Sequence, residues 1–202
     1  MRPWYRLNLR LAGMVLRWVA PYTVIGADNV PTGGCIIAAN HRSYFDPPLV
    51  AVACDQELYF WAKHELFKVP LLGPLIRSLN AIPLSREQLR KSDLQAVVEM
   101  LTRGKKLLVF PEGGRGHNAS LRPAKRGIAS LVLHPRLSTP PPIVPCYINW
   151  HPPRRHRMVV FGPPWQLNSI DTRHPEFNSA GVADEVMRRI GDLKLQAECV
   201  RP

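Results

Sequence analysis

The chain has 202 residues, of which 46% are hydrophobic, and 27 Lys and Arg side chains against 15 Asp and Glu give it a formal net charge of +12. This length suits one domain with one sizeable core, and the hydrophobic fraction excludes a disordered chain. The excess of positive charge predicts an anionic partner, such as nucleic acid, anionic lipid headgroups or a phosphorylated cofactor.

The first predicted element is an amphipathic helix within residues 1–22. Its arginines fall within an arc of roughly 80° and its large apolar side chains lie toward the opposite side. This pattern is typical of a helix in the interface of an anionic membrane, which we favour, and it also fits a helix packed on the domain with solvated arginines. The arginines are Arg2, Arg6, Arg10 and Arg17, and the apolar residues are Trp4, Leu7, Leu11, Met14, Val15 and Trp18.

Neither a membrane-spanning helix nor a disulfide framework is predicted. The longest charge-free apolar stretch near the start, Trp18–Ala27, is only ten residues long, whereas a spanning helix needs about 20. The cysteines lack the paired spacing of a zinc site, and we expect reduced core thiols of a cytosolic protein and no metal. They are Cys35, Cys54, Cys146 and Cys199.

Short apolar runs alternate with helical patterns along the rest of the chain. One helix is predicted over Lys91–Arg103, with Gly104 as its stop, and another follows Ser179 as a possible cap. The alternation predicts a single α/β domain with a central, mostly parallel or mixed sheet flanked by helices. The predicted strands are Gly34–Ala39, Leu58–Ala62, Ala81–Leu84, Leu107–Phe110, Ile143–Ile148 and Met158–Phe161.

A histidine and a carboxylate stand five residues apart in Asn40–Pro47, directly after the first predicted strand. A histidine oriented by a carboxylate is the minimal general base for deprotonating a hydroxyl group. On one continuous helix the two side chains would lie about 140° apart, so they meet only if His41 lies in a turn and Asp46 begins the next helix. Asp46-Pro47 is typical of a helix start. The same residues also fit a plain loop histidine before a capped helix.

A glycine-rich turn, Phe110–Gly116, follows another predicted strand. Ligand sites of α/β sheets collect beyond the carboxyl ends of the strands, and Arg115 could hold a phosphate there. The turn lacks the lysine and spacing of a P-loop, and it also fits a surface turn with solvated charges. Arg86, just past a strand, and Lys125 add positive charge to these regions of the sequence.

Four blocks, in this order and spacing, resemble the glycerolipid acyltransferase family that includes the lysophosphatidic acid acyltransferases. They are Asn40–Pro47, Ile82–Arg86, Phe110–Arg115 and Ile143–Ile148. Two positions depart from the family pattern: the third block usually has threonine at Gly114, and the second usually has glycine near Asn80. We expect these departures to affect the preference for the acceptor headgroup more than the reaction.

The resemblance implies that residues 23–202 form an acyltransferase domain. It would transfer a fatty acyl group from acyl-CoA or acyl-carrier protein to the free hydroxyl of a lysophospholipid, with 1-acyl-glycerol-3-phosphate as the expected acceptor. His41 would take the hydroxyl proton and Asp46 would orient the imidazole, without a metal or another cofactor. The substrate-binding residues would be Arg86, Glu112, Gly113, Arg115, Lys125 and Pro145.

The expected partners are therefore membrane phospholipids, the lysophospholipid acceptor and the acyl thioester, and the expected location is the cytoplasmic face of the membrane, as a peripheral protein. A thioesterase or a phospholipid transacylase on the same fold remains an alternative. A nucleic-acid-binding protein would also be basic, but no nucleic-acid motif supports it, so we expect no nucleic acid partner.

Overall fold

A seven-stranded mixed sheet forms the centre of the computed structural model, which describes residues 1–19, 21–84, 91–116, 120–137, 139–150, 156–167 and 178–199. The strand order is β1-β7-β6-β2-β5-β3-β4, and every neighbouring pair is parallel except β6 with β7. The strands are β1 (Tyr22–Ile25), β2 (Ile36–Ala39), β3 (Leu58–Lys63), β4 (Ala81–Leu84), β5 (Lys106–Val109), β6 (Ile143–Trp150) and β7 (Arg157–Phe161).

The predicted α/β class is confirmed, and each of the six predicted strands is present. The sequence analysis missed β1, which follows Pro21 and lies at one edge of the sheet beside β7. None of its four side chains is fully buried. An edge strand of this kind lacks the continuous apolar run that marks a buried central strand.

In the described part of the chain, six α-helices cover the sheet. Asn178, and not the predicted Ser179, caps α6, because its Oδ1 accepts hydrogen bonds from the backbone N–H groups of Ala180 (2.9 Å) and Gly181 (3.1 Å). The helices are α1 (Pro3–Val19), α2 (Asp46–Cys54), α3 (Leu72–Ser78), α4 (Lys91–Thr102), α5 (Gly127–Val132) and α6 (Ser179–Cys199), with short 3-10 helices at Ala27–Asn29 and His64–Lys68.

The helices form two layers, one on each face of the sheet. Side chains of α1, α2 and α3 pack with Ile37 and Ala39 of β2, whereas those of α4, α5 and α6 pack with Ile36 and Ala38. Both faces of β2 are therefore buried, which explains why its sequence is uniformly apolar and does not alternate.

Helix α1 packs on the domain through a stripe that the sequence analysis did not select. Its buried residues are Tyr5, Leu9, Gly13 and Leu16. The Tyr5 hydroxyl accepts a hydrogen bond from the Leu58 N–H (3.1 Å), and burial raises the pKa of Tyr5 to about 12. The six apolar residues predicted to form one face are all exposed. Within the described residues, no helix combines the length and the hydropathy needed to cross a bilayer.

The start of α1 is attached to the sheet by a polar cluster of Arg2, Glu57 and Asn80. Arg2 donates to Glu57 (2.9 Å) and to the Asn80 side-chain oxygen, and Asn80 donates to Glu57 (3.2 Å). Burial alone would raise the pKa of Glu57, but the hydrogen bonds from Asn80 and Arg2 outweigh it and leave the pKa below its ordinary value. Arg2 is thus hydrogen-bonded to the domain, while 60% of its side chain remains exposed.

Asn80 also explains one departure from the family pattern. Its φ of +65° lies in the region that glycine adopts without strain and that asparagine tolerates better than most residues. It precedes β4, at the edge of the sheet opposite the carboxyl ends. Asparagine here holds the start of α1 through Arg2 and Glu57, and an effect of this departure on the headgroup preference stays a prediction.

Candidate functional site

The carboxyl end of β2, in the middle of the sheet, carries the predicted histidine. The preceding Asn40 is fully buried, and its side chain makes two hydrogen bonds with the backbone of Ile148 in β6. The Asn40 amide donates to the Ile148 carbonyl (3.0 Å) and its oxygen accepts from the Ile148 N–H (2.6 Å). These two hydrogen bonds fix the position of Asn40, the residue from which the loop with His41 begins.

His41 and Asp46 meet in the way that the sequence analysis required. Nδ1 of His41 lies 2.8 Å from Oδ2 of Asp46, and the same oxygen accepts the backbone N–H groups of Arg42 (2.6 Å) and Ser43 (2.7 Å). Because this buried carboxylate oxygen is an acceptor, we assign the proton to Nδ1 and the free lone pair to Nε2.

Asp46 does not cap α2, contrary to our expectation. A cap oxygen accepts the N–H of the second or third helical residue. Asp46 is the first residue of α2, and the next two are Pro47 and Pro48, which have no N–H. Its carboxylate binds backwards, to the loop between His41 and Ser43. The two prolines thus leave the carboxylate to the histidine.

Phe110, directly after the neighbouring strand β5, supports the imidazole of His41. The two rings are stacked, with centroids 4.0 Å apart and an interplanar angle of 22°. Together with the bond to Asp46, this contact restricts the orientation of the ring. The sequence analysis placed Phe110 only at the end of a strand, and no local signal connects it with a residue 69 positions earlier.

Glu112, predicted to bind substrate, lies buried beneath the loop that carries His41. Its side chain is 1% exposed, Oε1 accepts the His41 N–H (3.0 Å), and Oε2 accepts the Arg122 N–H (3.3 Å). A further bond joins the Gly116 N–H to the His41 carbonyl (2.8 Å). Because both oxygens are bound to backbone, we infer that Glu112 positions His41, while its predicted contact with the substrate stays a prediction.

Replacing Glu112 with glutamine should therefore harm both stability and rate. The glutamine NH₂ group must face one of the two buried N–H donors, and such a conflict costs about 1–3 kcal/mol. A displacement of His41 of about 1 Å would lower kcat by about 100-fold. Denaturant unfolding and steady-state kinetics measure the two effects. Glu99→Gln on the exposed face of α4 is the matched control, and equal behaviour of the two variants would contradict the role.

Gly113 lies directly against the side chain of Lys125. Gly113 has φ +66°, and a Cβ added there would lie 2.4 Å from Cδ and 2.6 Å from Cε of Lys125. The Lys125 N–H donates to the Pro111 carbonyl (2.8 Å). Glycine is thus needed at 113 because the stem of Lys125 crosses the turn at this point.

A cavity of about 370 Å³ opens beside His41, toward the α4–α6 layer. Apolar side chains such as Trp61 and Ile128 form most of its wall, and Lys63 and Lys125 add two cations. Its described lining contains no carboxylate. The cavity therefore suits an apolar chain that carries an anionic group.

Arg115 follows the cavity-lining glycines and lies against Tyr44. Its guanidinium is 3.6 Å from the centre of the Tyr44 ring, and Nη2 donates to the tyrosine oxygen (2.8 Å). A guanidinium has five N–H donors, so this contact leaves capacity for a phosphate. The sequence analysis predicted Arg115 and missed Tyr44.

The remaining predicted residues are placed less favourably. Pro145 is buried within β6, where its ring packs near Gly162, and it does not contribute to the cavity wall. Its predicted role in shaping the pocket is therefore not supported. Gly114 lines the cavity, and a Cβ there would lie 3.7 Å from Arg122, so a larger residue would fit. Arg86 lies outside the described residues.

Arg157, at the start of β7, is a buried cation near the loop between His41 and Asp46 that was not predicted from the sequence. Its side chain is only 6% exposed, and its guanidinium lies 5.6 Å from the centre of the Phe45 ring. Burial lowers the pKa of Arg157, and the negative charge of Asp46 acts in the opposite direction. The signal in the sequence was the position of this charged residue, directly before the apolar strand predicted at Met158–Phe161.

Comparisons with known proteins identify the family that this chain resembles. The sequence profile of the Acyltransferase family matches residues 21–149. Two curated relatives, each named 1-acyl-sn-glycerol-3-phosphate acyltransferase, come from Borreliella burgdorferi and Bacillus subtilis. The first is 26% identical over 136 residues, 66% of this chain and 52% of the relative, and the second is 27% identical over 111 residues, 54% and 55%. The chain thus spans about half the length of these relatives.

A solved structure supports the fold. The crystal structure of the 1-acyl-sn-glycerophosphate (LPA) acyltransferase PlsC from Thermotoga maritima superimposes with a TM-score of 0.71 and 24% identity. The match covers 94% of this chain and 79% of that chain. At this identity the likeness shows the fold and no more.

Proposed function

This chain belongs to the acyltransferase family, and we propose that it transfers a fatty acyl group from an acyl thioester, acyl-CoA or acyl-carrier protein, to the free hydroxyl of a lysophospholipid. The proposed acceptor is 1-acyl-glycerol-3-phosphate, which would give phosphatidic acid. The observation that carries the proposal is the 2.8 Å bond between His41 Nδ1 and Asp46 Oδ2 beside the cavity.

The proposed reaction uses His41 as the general base. Nε2 takes the proton of the acceptor hydroxyl while the hydroxyl oxygen attacks the thioester carbonyl. The carbon–sulfur bond then breaks, the ester remains on the acceptor, and the imidazolium returns the proton to the leaving thiolate. Asp46 stabilises the imidazolium that forms between these steps.

Binding of the substrates is assigned by charge and shape. The acceptor's phosphate would bind Arg115 and Lys125, and Arg86 remains a proposal from the sequence. An acyl chain fits the cavity wall formed by Trp61 and Ile128.

The direct test is an assay of the purified protein with a panel of lysophospholipids and both types of thioester, with the products identified by lipid mass spectrometry. We expect acyl transfer to the phosphate-bearing acceptor. Release of free fatty acid without an acceptor would instead indicate a thioesterase, and transfer that needs no thioester would indicate a transacylase. Either result would contradict the proposal.

We also propose that the protein binds the cytoplasmic face of a membrane as a peripheral protein, with α1 in the interface. The exposed apolar stripe of α1 points away from the stripe that packs on the domain, as expected from about 100° per residue. Exposed Arg6, Arg10 and Arg17 flank it on one side. Apolar and cationic groups together fit an anionic lipid surface.

The double variant Met14→Gln with Trp18→Gln tests this role of α1. The two side chains are 61% and 93% exposed, so the fold should not change, while binding to anionic vesicles should weaken by at least about tenfold. Vesicle co-sedimentation and thermal unfolding measure the two properties. Undiminished binding would exclude the role. Deleting α1 is a poorer test, because it would uncover the core residues packed against Tyr5 and Leu9.

A further inference from the structure

Exposed apolar side chains are distributed very unequally between the two helical layers. Among the described residues, all large hydrophobic side chains that are well exposed belong to the α1–α3 layer and the segments joined to it, with the exception of Leu195 in α6. Beyond the stripe on α1, they include Tyr44, Phe45, Val69, Leu71 and Leu75.

The turn Val69–Leu71, between the 3-10 helix His64–Lys68 and α3, is the most unusual of these. Leu71 has φ +64° and ψ −44°, and the Leu72 N–H donates to the Pro70 carbonyl at 2.7 Å. This is the rare, strained form of the γ-turn. It holds Leu71 88% exposed. The strained backbone and the exposure of an apolar side chain are both unfavourable. Backbone strain of this kind clusters at functional positions.

Neighbouring contacts hold the turn rigidly. A Cβ added to Gly73 would lie 2.3 Å from the Phe67 carbonyl oxygen, so α3 begins in close contact with the 3-10 helix. The Arg77 guanidinium lies 5.0 Å from the centre of the Phe67 ring. Contacts with the 3-10 helix therefore hold the turn that exposes Leu71 in place.

The turn lies toward the same edge of the sheet as His41. The 3-10 helix starts directly after Lys63, at the carboxyl end of β3, and α3 then returns to Asn80 at the opposite end of β4. The start of α3 is thus near the carboxyl edge. Exposed Lys68 and Arg77 flank the turn, which gives it the same combination of apolar and cationic groups as α1.

We propose that the turn Val69–Leu71 is a second membrane-inserting element, which enters an anionic lipid surface together with the outer stripe of α1. The α1–α3 layer then faces the lipid, and two separated contacts fix the orientation of the catalytic edge. We identify the partner of this surface as a bilayer because exposed apolar groups flanked by cations are present both at the turn and on α1. The inference rests on the proposed function in two respects, the membrane role of α1 and an acceptor taken from that bilayer.

The test compares Leu71→Ala with Leu195→Ala in the full chain. Both remove the same atoms from exposed leucines, but Leu195 lies on the other layer. With phosphatidylcholine vesicles that contain phosphatidylglycerol, Leu71→Ala should weaken binding by about tenfold, and Leu195→Ala should bind as the unmodified protein does. Leu71→Gly is the second variant, since glycine adopts φ +64° without strain and should keep or raise the unfolding temperature while weakening binding further.

Two further measurements separate the explanations. Acyl transfer to a short-chain, water-soluble lysophosphatidic acid should be the same in Leu71→Gly and the unmodified protein, and its absence from both would count against the proposed function alone. Vesicle binding that is unchanged in Leu71→Gly would overturn the inserting role. A dimer that Leu71→Gly dissociates, seen by sedimentation velocity, would assign the turn to a second copy of the chain and overturn it as well.

Discussion

The His41→Ala variant should lose acyl-transfer activity, with kcat/KM at least about 100-fold and up to about 10,000-fold lower, because the acceptor hydroxyl loses its general base. The side chain is near the surface, with 14% of its area exposed, so the fold should survive. Circular dichroism and thermal unfolding check the fold, and a thiol-release assay with the lysophospholipid acceptor measures the rate.

His134→Ala provides the control for this variant. His134 lies in the loop after α5, where its Nδ1 accepts the Arg136 N–H, and its loss should leave the rate unchanged. If His41→Ala keeps the normal rate with an intact fold, the proposed mechanism fails. If both variants lose activity, the effect belongs to histidine loss in general and the assignment to His41 fails as well.

Asp46→Asn should lower kcat by about 100-fold or more while leaving KM nearly constant. The three donors on Asp46 all reach Oδ2. The backbone N–H groups of Arg42 and Ser43 require an oxygen there, so the asparagine carbonyl should occupy the same position and keep Nδ1 of His41 as the donor. The variant then removes the negative charge and preserves the geometry.

This design separates two roles of the carboxylate. A large fall in kcat would show that the charge stabilises the imidazolium, whereas Asp46→Ala would also release the loop and should lower the unfolding temperature. An Asp46→Asn variant with the normal kcat would mean that Asp46 only orients the ring. Steady-state kinetics and thermal unfolding of both variants distinguish the outcomes.

The sequence was sufficient where short-range spacing governs the structure. The lengths of the apolar runs predicted β2 to β7, and the five-residue separation correctly required His41 in a turn and Asp46 at a helix start. The local error concerned the cap. The structure starts α2 at Asp46, and Pro47 and Pro48 after it have no N–H to donate to its carboxylate.

Long-range contacts were not predictable in the same way. The family resemblance implied Glu112 as a substrate-binding residue and gave no sign that it binds the backbone of His41, 71 positions away. The stacking of Phe110 on His41 and of Arg115 on Tyr44 depends on which strands become neighbours. Strand order is a property of the whole sheet, and one sequence carries no local signal for it.

Periodicity alone established that the N-terminal segment forms an amphipathic helix with a basic side and an apolar side. Only the tertiary structure decided that a third stripe, through Tyr5, Leu9 and Leu16, packs on the domain and leaves the apolar side exposed. The tertiary structure also decided that the turn at Leu71 belongs to the α1–α3 layer, as the exposed apolar side of α1 does. Spacing along a chain fixes directions around a helix, whereas burial depends on which surface the rest of the fold brings against it.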